Sequence, residues 1–215
     1  MSSPPVKHAL ISVSDKLGLA GFARGLVEAG VEIYSTGGTR AHLESEGVPV
    51  VDVAVYTGFP EMMDGRLKTL HPLVHGGILC RHDNPSDMQA LGEHGIKTFE
   101  LVVVNLYPFQ RTVAREGVTE EEAIENIDIG GPTMVRAAAK NHAFTTIATN
   151  PGHYSEILQQ IVANGCTTLE LRKRLAGEAF DHTAKYDTAI AAYFAGLRTE
   201  GSFPGHLSIG LSRKA

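Results

Sequence analysis

The chain has 215 residues and a formal charge of −5, with 43% hydrophobic and 20% charged residues. This composition excludes a disordered or collagen-like chain, and the length suits one large domain. The 19 Lys and Arg residues form no block of like charge, which argues against a nucleic-acid surface. Cys80 and Cys166 are too few for a disulfide framework, and the sequence shows neither a membrane span nor a signal peptide. We therefore expect a soluble cytoplasmic protein without a nucleic-acid or membrane partner.

Short apolar segments alternate with helical patterns over the first 150 residues. The segments that read as strands are 9–14, 31–35, 48–54, 99–104 and 143–149, with a weaker one at 77–80. Between the first two, Leu19, Phe22 and Leu26 share one face of an amphipathic helix, and Gly30 suits a left-handed cap after it. This alternation predicts a three-layer α/β/α fold around a central, mainly parallel sheet.

After residue 150 the pattern is helical only. One apolar stripe begins at Tyr154 and another at Tyr186, and Thr167 with Glu170 forms a capping pattern between them. The stripes suit core or subunit-interface surface. From residue 199 the chain turns to Gly, Ser and Pro, which predicts a linker. We expect an α/β core at 1–150, a helical extension of the same domain at 151–198, and a linker at 199–215.

Two loops carry residues suited to an anion. In an open parallel sheet, ligands bind at the carboxyl ends of the strands. The first strand is followed by Ser12-Val-Ser-Asp-Lys16, and the second by Ser35-Thr-Gly-Gly-Thr39. Paired glycines let backbone N–H groups approach a phosphate at a helix N-terminus. The alternative is a plain turn with a helix cap, but two such loops at one sheet edge favour phosphate binding.

Three further segments add polar chemistry. In Gly65-Arg-Leu-Lys-Thr-Leu-His-Pro72, an extended backbone places Arg66 and Lys68 on one face, while an exposed basic loop is the simpler alternative. Asn105-Leu-Tyr-Pro-Phe109 follows the central strand and offers Tyr107 for proton transfer or for packing. The segment 126–141 contains Asp128, a Gly-Gly-Pro helix entry and Lys140 near the helix end.

The sequence lacks the binding motifs of several classes of cofactor. The chain contains no P-loop and no dinucleotide fingerprint after the first strand. His71, His75, Cys80 and His82 lie close together, but their spacing fits no common zinc pattern. We therefore expect no metal and no cofactor.

Taken in order, these five segments resemble the N-terminal IMP cyclohydrolase domain of the bifunctional purine biosynthesis proteins, in which an AICAR formyltransferase domain follows. The match runs from about residue 9 to 141, and five long motifs in one order are specific. The resemblance implies a methylglyoxal synthase-like, Rossmann-like fold and a homodimer. It also implies closure of the ring of 5-formamidoimidazole-4-carboxamide ribotide to give IMP and water. No formyltransferase domain follows Ala215, so formyl transfer is not expected of this chain.

The family's roles carry over to matching positions. The resemblance implies that the 5′-phosphate is bound by Ser14, Lys16, Thr36, Gly37, Gly38 and Thr39. It implies that the base and formyl end meets Arg66, Thr69, Asn105, Ile129, Gly130 and Gly131. Catalysis is expected of Lys68, Tyr107, Asp128 and Lys140, with Lys68 at the developing oxyanion. A straight helix over 133–140 would put Lys140 roughly 10–12 Å from its start, so Asp128 and Lys140 can share a ligand only along the helix flank or on a bent path.

Two other functions use the same fold. A methylglyoxal synthase-like lyase would carry Gly-Asp-Pro and His-x-His-Asp signatures, which are not evident in this sequence. A regulatory domain that only binds a nucleotide would need the phosphate loops but not the four catalytic candidates. Their joint presence favours an enzyme.

Overall fold

The computed structural model describes residues 3–106 and 109–197 and shows an α/β fold around one sheet. The strands are β1 (His8–Val13), β2 (Glu32–Ser35), β3 (Val51–Asp52), β4 (Leu101–Asn105) and β5 (Thr146–Ala148). The helices are α1 (Leu19–Glu28), α2 (Gly37–Ser45), α3 (Val53–Thr57), α4 (Pro72–Leu79), α5 (Pro85–Glu93), α6 (Phe109–Val113), α7 (Glu120–Glu125), α8 (Gly130–Lys140), α9 (Tyr154–Asn164) and α10 (Leu169–Gly196). Short 3-10 turns lie at Met63–Gly65 and Pro151–His153.

The sheet order is β3-β2-β1-β4-β5, and every pairing is parallel. The chain moves outward from β1 in one direction and from β4 in the other. Since such crossovers are right-handed, α1 and α8 lie on opposite faces of the sheet. Strand β4 is apolar and buried from Leu101 to Val104, as predicted for a strand with helices on both sides. The predicted three-layer fold is therefore confirmed.

Helix packing follows the apolar stripes of the sequence. Phe22 of α1 stacks on Tyr154 of α9 with ring centroids 4.4 Å apart. Gly25 lets the two helices approach, because a Cβ there would lie 2.5 Å from Cδ2 of Leu158. Gly30 has φ of +84° directly after α1 and donates its N–H to Val27, which confirms the predicted cap.

Three strand predictions were wrong in extent or type. Only Thr146–Ala148 of the predicted segment 143–149 form a strand. Segment 48–54 contains only a two-residue strand, because the side chain of Asp52 accepts the N–H of Ala54 and starts α3. Residues 77–79 belong to α4 and Cys80 is its C-cap, and at the start of this helix the ring of His71 accepts the N–H of Leu73. Glycine allows this packing, since a Cβ at Gly77 would lie 2.1 Å from the carbonyl oxygen of Lys97.

The last helix is one continuous element of 28 residues. Thr119 and Glu122 form a capping box at the start of α7, and the cap of α10 is Thr168 rather than the predicted Thr167. Thr167 is buried instead and receives a hydrogen bond from Arg172. Arg172 is itself buried, and its guanidinium donates to the carbonyls of His142 and Ala143. Burial lowers the pKa of Arg172.

In the part of the chain that the structure describes, no helix is long and apolar enough to cross a membrane. The predicted linker at 199–215 lies outside the described residues.

Candidate active site

A polar cleft of about 1190 Å³ opens at the carboxyl edge of the sheet. Among the residues that the structure describes, it brings together all of the site residues predicted from the sequence except Lys140. The cleft is lined by Ser14, Lys16, Thr36, Gly37, Gly38, Thr39, Arg66, Lys68, Thr69, Asn105, Asp128, Ile129, Gly130 and Gly131, among others. Segments that are distant in sequence converge there because parallel strands end at the same edge.

The loop after β1 is held by the strand beside it. Asn105 Oδ1 accepts the N–H groups of Ser14 at 2.7 Å and Asp15 at 3.0 Å, and Asn105 Nδ2 donates to the carbonyl of Asp15 at 3.1 Å. The amide of Asn105 therefore positions this loop from the end of β4. Lys16 is left on the cleft side, with Nζ 3.5 Å from the carbonyl oxygen of Ser14.

The second loop presents the start of α2 to the cleft. This helix begins at Gly37, which has φ of +50°. The hydroxyl of Thr39 accepts the N–H of Val13 at 3.0 Å and donates to its carbonyl at 2.9 Å, so it joins α2 to β1. Thr36 makes no side-chain cap. The first-turn N–H groups of α2 and its dipole thus point to the cleft, as an anion requires.

The segment before α4 folds back on itself. Met62 and Leu67 form an antiparallel bridge around the turn at Met63–Gly65. Arg66 and Lys68 do not share one carboxylate: Arg66 pairs with Glu125 of α7, whereas Lys68 Nζ donates to Glu61 Oε1 at 2.9 Å. The like charges are therefore compensated separately. Formation of the Arg66 pair lowers the pKa of Glu125.

The turn at the start of α8 is closely packed around a carboxylate. Asp128 Oδ1 accepts the N–H of Gly131 at 2.8 Å. A Cβ at Gly131 would lie 2.3 Å from Asp128 Oδ2, and a Cβ at Gly130 would lie 2.8 Å from the hydroxyl oxygen of the buried Thr69. Both glycines are therefore required by the close approach of polar side chains, beyond any role as a helix entry.

Tyr186 of α10 supports this turn from outside the α/β core. Its hydroxyl oxygen accepts the N–H of Asp128 at 2.7 Å. Burial is the main cause that raises the pKa of Tyr186. Sequence reasoning placed Tyr186 in an apolar stripe and missed this contact. The available signal was chemical, since a buried tyrosine hydroxyl requires a hydrogen-bond partner.

Two predicted catalytic residues are not placed in the cleft. Tyr107 lies outside the described residues. Lys140 is exposed at the last position of α8, and α8 spans about 15 Å at ~1.5 Å per residue. One unbroken helix thus lies between Asp128 and Lys140. Its catalytic role stays a prediction.

The cleft also contains residues that the sequence patterns did not single out. Glu125 and Asn126 line it from the end of α7, and Arg111 lines it from α6. Two residues of the histidine-rich segment have other surroundings. His71 caps α4, and burial raises the pKa of the Cys80 thiol to about 11.

The parallel sheet and the polar cleft at its carboxyl edge define a methylglyoxal synthase-like (MGS-like) α/β domain. The model of the MGS-like domain family matches residues 18–133, and that of the AICARFT/IMPCHase bienzyme family matches 138–215. The chain therefore belongs to the MGS-like domain family and corresponds to the N-terminal part of the bifunctional purine biosynthesis proteins, which confirms the resemblance drawn from its motifs.

Individual relatives agree with this placement. The bifunctional purine biosynthesis protein PurH of Rhodopirellula baltica is 60% identical over 98% of this chain, which covers 40% of that protein. PurH of Listeria monocytogenes serotype 4b (strain F2365) is 54% identical over 97% of this chain and 41% of that protein. A solved structure titled "Crystal structure of ForH" aligns with a TM-score of 0.78 and 33% identity, over 88% of this chain and 99% of its own. The chain thus spans about two fifths of the curated relatives it matches.

Proposed function

We propose that this chain is an IMP cyclohydrolase, which closes the ring of 5-formamidoimidazole-4-carboxamide ribotide to give IMP and water. The observation that carries the proposal is the convergence of two anion-suited loops, Lys68 and Asp128 on one cleft. Its homology to purine biosynthesis proteins supports a purine ribotide as the ligand.

In this proposal the ribotide phosphate lies against the first turn of α2. Ser14, Lys16 and residues 36–39 surround that end of the cleft. The N-terminal dipole of α2 and the ammonium of Lys16 both favour a dianion there. The imidazole ring then extends toward the turn at residues 128–131, where Arg66, Thr69 and Asn105 are the other proposed contacts.

Ring closure joins the carboxamide nitrogen to the formyl carbon, and the former formyl oxygen leaves as water. The carboxamide nitrogen and the formamido nitrogen each lose one proton during this reaction and the departing oxygen gains both, so a group that accepts and returns protons is needed. We propose Asp128 for this transfer because its carboxylate is held by the N–H of Gly131 at the cleft wall. Tyr107, which follows Asn105 by two positions in the sequence, is proposed to assist because of the family resemblance.

Lys68 is proposed to stabilise the anionic oxygen that develops on the formyl group. A positioned cation in a partly water-excluded cleft stabilises such a charge more strongly in the transition state than in the substrate. In the structure the ammonium of Lys68 is close to Gly37, since a Cβ there would lie 3.5 Å from Nζ. Its four-carbon side chain allows it to serve either end of the ligand.

The test is cofactor-free conversion of the formylated ribotide to IMP by this chain, followed by ultraviolet absorbance. We expect turnover to fall by roughly 10²–10³-fold in Lys68→Ala, the range seen when one group that stabilises an oxyanion is removed. Asp128→Asn keeps an oxygen for the N–H of Gly131 but loses the base, so a loss of roughly 10²–10⁴-fold is expected. Lys185→Ala is the matched control, because Lys185 is an exposed lysine of α10 that pairs with Asp181.

An inactive wild-type chain that still binds IMP tightly would contradict the proposal and favour a nucleotide-binding regulatory domain. Full activity in both variants would remove Lys68 and Asp128 from the mechanism.

We further propose that the chain is a cytoplasmic homodimer. Phe180 and Phe194, 14 positions apart on α10, leave 40% and 43% of their surface exposed. At ~3.6 residues per turn this spacing puts them near one helix face, which suits a contact with a second copy. Sedimentation velocity tests this proposal, and a monomer at all accessible concentrations would refute it.

A further inference from the structure

The ion pair between Glu61 and Lys68 is built by the backbone around it. Met62 and Leu67 exchange two backbone hydrogen bonds, of 3.2 and 3.3 Å, as an antiparallel pair. The next pair outward is Glu61 and Lys68, and side chains opposite each other in such a ladder meet on one face. Gly65 makes room for them, because a Cβ there would lie 2.5 Å from Glu61 Oε1 and 3.0 Å from Lys68 Nζ.

The same ammonium adjoins the loop that we assign to phosphate. A Cβ at Gly37 would lie 3.5 Å from Lys68 Nζ, and Gly37 is the first residue of α2. The carboxylate of Glu61 is therefore hydrogen-bonded to the ammonium of Lys68 beside the N-terminus of α2, where a phosphate would also bind.

We propose that Glu61 competes with the ligand's phosphate for the ammonium of Lys68, and so sets the affinity of the cleft for phosphate-bearing ligands. The substrate's phosphate displaces the carboxylate when it binds, and the ammonium moves to the formyl oxygen only as negative charge develops there during ring closure. The proposal rests on the assignment of this cleft as a phosphate site, and not on the ring-closure chemistry.

The pair is suited to displacement because both of its side chains are partly exposed, at 35% for Lys68 and 45% for Glu61. Exposed pairs of this kind are weak and screened by salt. A phosphate dianion brings more charge to the same ammonium and also interacts with the N-terminal dipole of α2. A competitor this weak lowers affinity by a factor of about 5, which corresponds to ~1 kcal/mol.

Calorimetric titration with two probes, inorganic phosphate and IMP, tests the proposal without any turnover. Glu61→Gln keeps the length of the side chain and removes its charge. We expect it to bind both probes about fivefold more tightly than the wild type at low salt, with the gain shrinking as salt is added. Far-UV circular dichroism verifies that the variant is folded.

Two further variants separate competition from a general effect of charge. Glu121→Gln removes an equal charge from a neighbouring pocket, which Arg66 also lines, and should leave both affinities unchanged. In a Lys68→Met background, Glu61→Gln should produce no gain, because the cation for which it competes is absent.

Unchanged or weaker binding by Glu61→Gln would overturn the proposal. So would an equal gain from Glu121→Gln, a gain that persists without Lys68, a gain for IMP but not for phosphate, or no phosphate binding by wild type and Glu61→Gln alike. A chain that shows the expected pattern but forms no IMP would retain this competition and lose only the proposed cyclohydrolase activity.

Discussion

Replacement of Tyr186 by phenylalanine tests whether α10 participates in the site or only covers the sheet. The change removes one oxygen atom, the acceptor of the N–H of Asp128 at 2.7 Å, and leaves the aromatic packing in place. Tyr186 is 9% exposed, so water replaces the lost partner only in part. A buried donor left without a partner costs about 1–3 kcal/mol.

For a domain of this size, each 1 kcal/mol lowers Tm by roughly 2–4 °C, so we expect a decrease of about 2–12 °C. We expect a separate and larger effect on turnover. Asp128 would no longer be held from both its backbone and its carboxylate, and a catalytic group misplaced by about 1 Å can cost on the order of 100-fold in rate. We expect kcat to fall by about 10–100-fold, with a much smaller change in KM.

Tyr193→Phe is the matched control for this experiment. Tyr193 lies two turns along the same helix and contacts the ring of Phe109 with centroids 5.7 Å apart, and its hydroxyl has no hydrogen bond to any residue that the structure describes. It should retain wild-type kcat. A Tyr186→Phe protein that melts earlier but keeps full kcat would refute the positioning argument, and one with unchanged Tm would show that the hydrogen bond contributes nothing to stability. Thermal denaturation and the ultraviolet assay provide the two readouts.

The other predictions concern packing, loop geometry and pH. Gly131→Ala should lower turnover by roughly 100-fold in a folded protein, since the new Cβ would lie 2.3 Å from Asp128 Oδ2 and must displace it; wild-type kcat in this variant would contradict the packing argument. Asn105→Ala removes three hydrogen bonds from the loop after β1 and should weaken phosphate binding by about tenfold in calorimetry, whereas equal affinity would show that the loop holds its shape unaided. Stability should decrease as pH falls below about 6.5, because burial lowers the pKa of three histidines and the unfolded chain then binds more protons than the folded one. These three histidines are His75, His82 and His182. A Tm that stays constant from pH 7 to pH 5 would refute the prediction.

Much of the site could be predicted because its polar residues lie close together in short loops of the sequence. Glycine pairs, hydroxyls and a helix start within five residues identify an anion loop from local geometry alone. The strand before each loop is recognisable by its apolar run, so the common sheet edge follows from the parallel topology. The loops 14–16 and 36–39 and the turn at 128–131 therefore meet as expected.

The prediction of secondary structure failed where a glycine permits close packing of distant segments. Segment 77–80 has strand-like composition, yet residues 77–79 are helical because Gly77 accepts contact with the backbone of Lys97 and because His71 and Pro72 start α4. Local propensity does not contain this information, since the favourable contact comes from another part of the chain.

The sequence by itself determined the alternation of strands and helices, the cap of α1 and the residues that line the cleft, because these depend on neighbours within one or two turns. Only the tertiary structure decided which partners those residues have. Asp128 meets a tyrosine 58 positions away, Arg66 meets Glu125 rather than sharing a carboxylate with Lys68, and Asn105 is used to hold the loop that begins at Ser14. Such hydrogen bonds and ion pairs form only after hydrophobic packing has brought distant segments together, and no local pattern records the result.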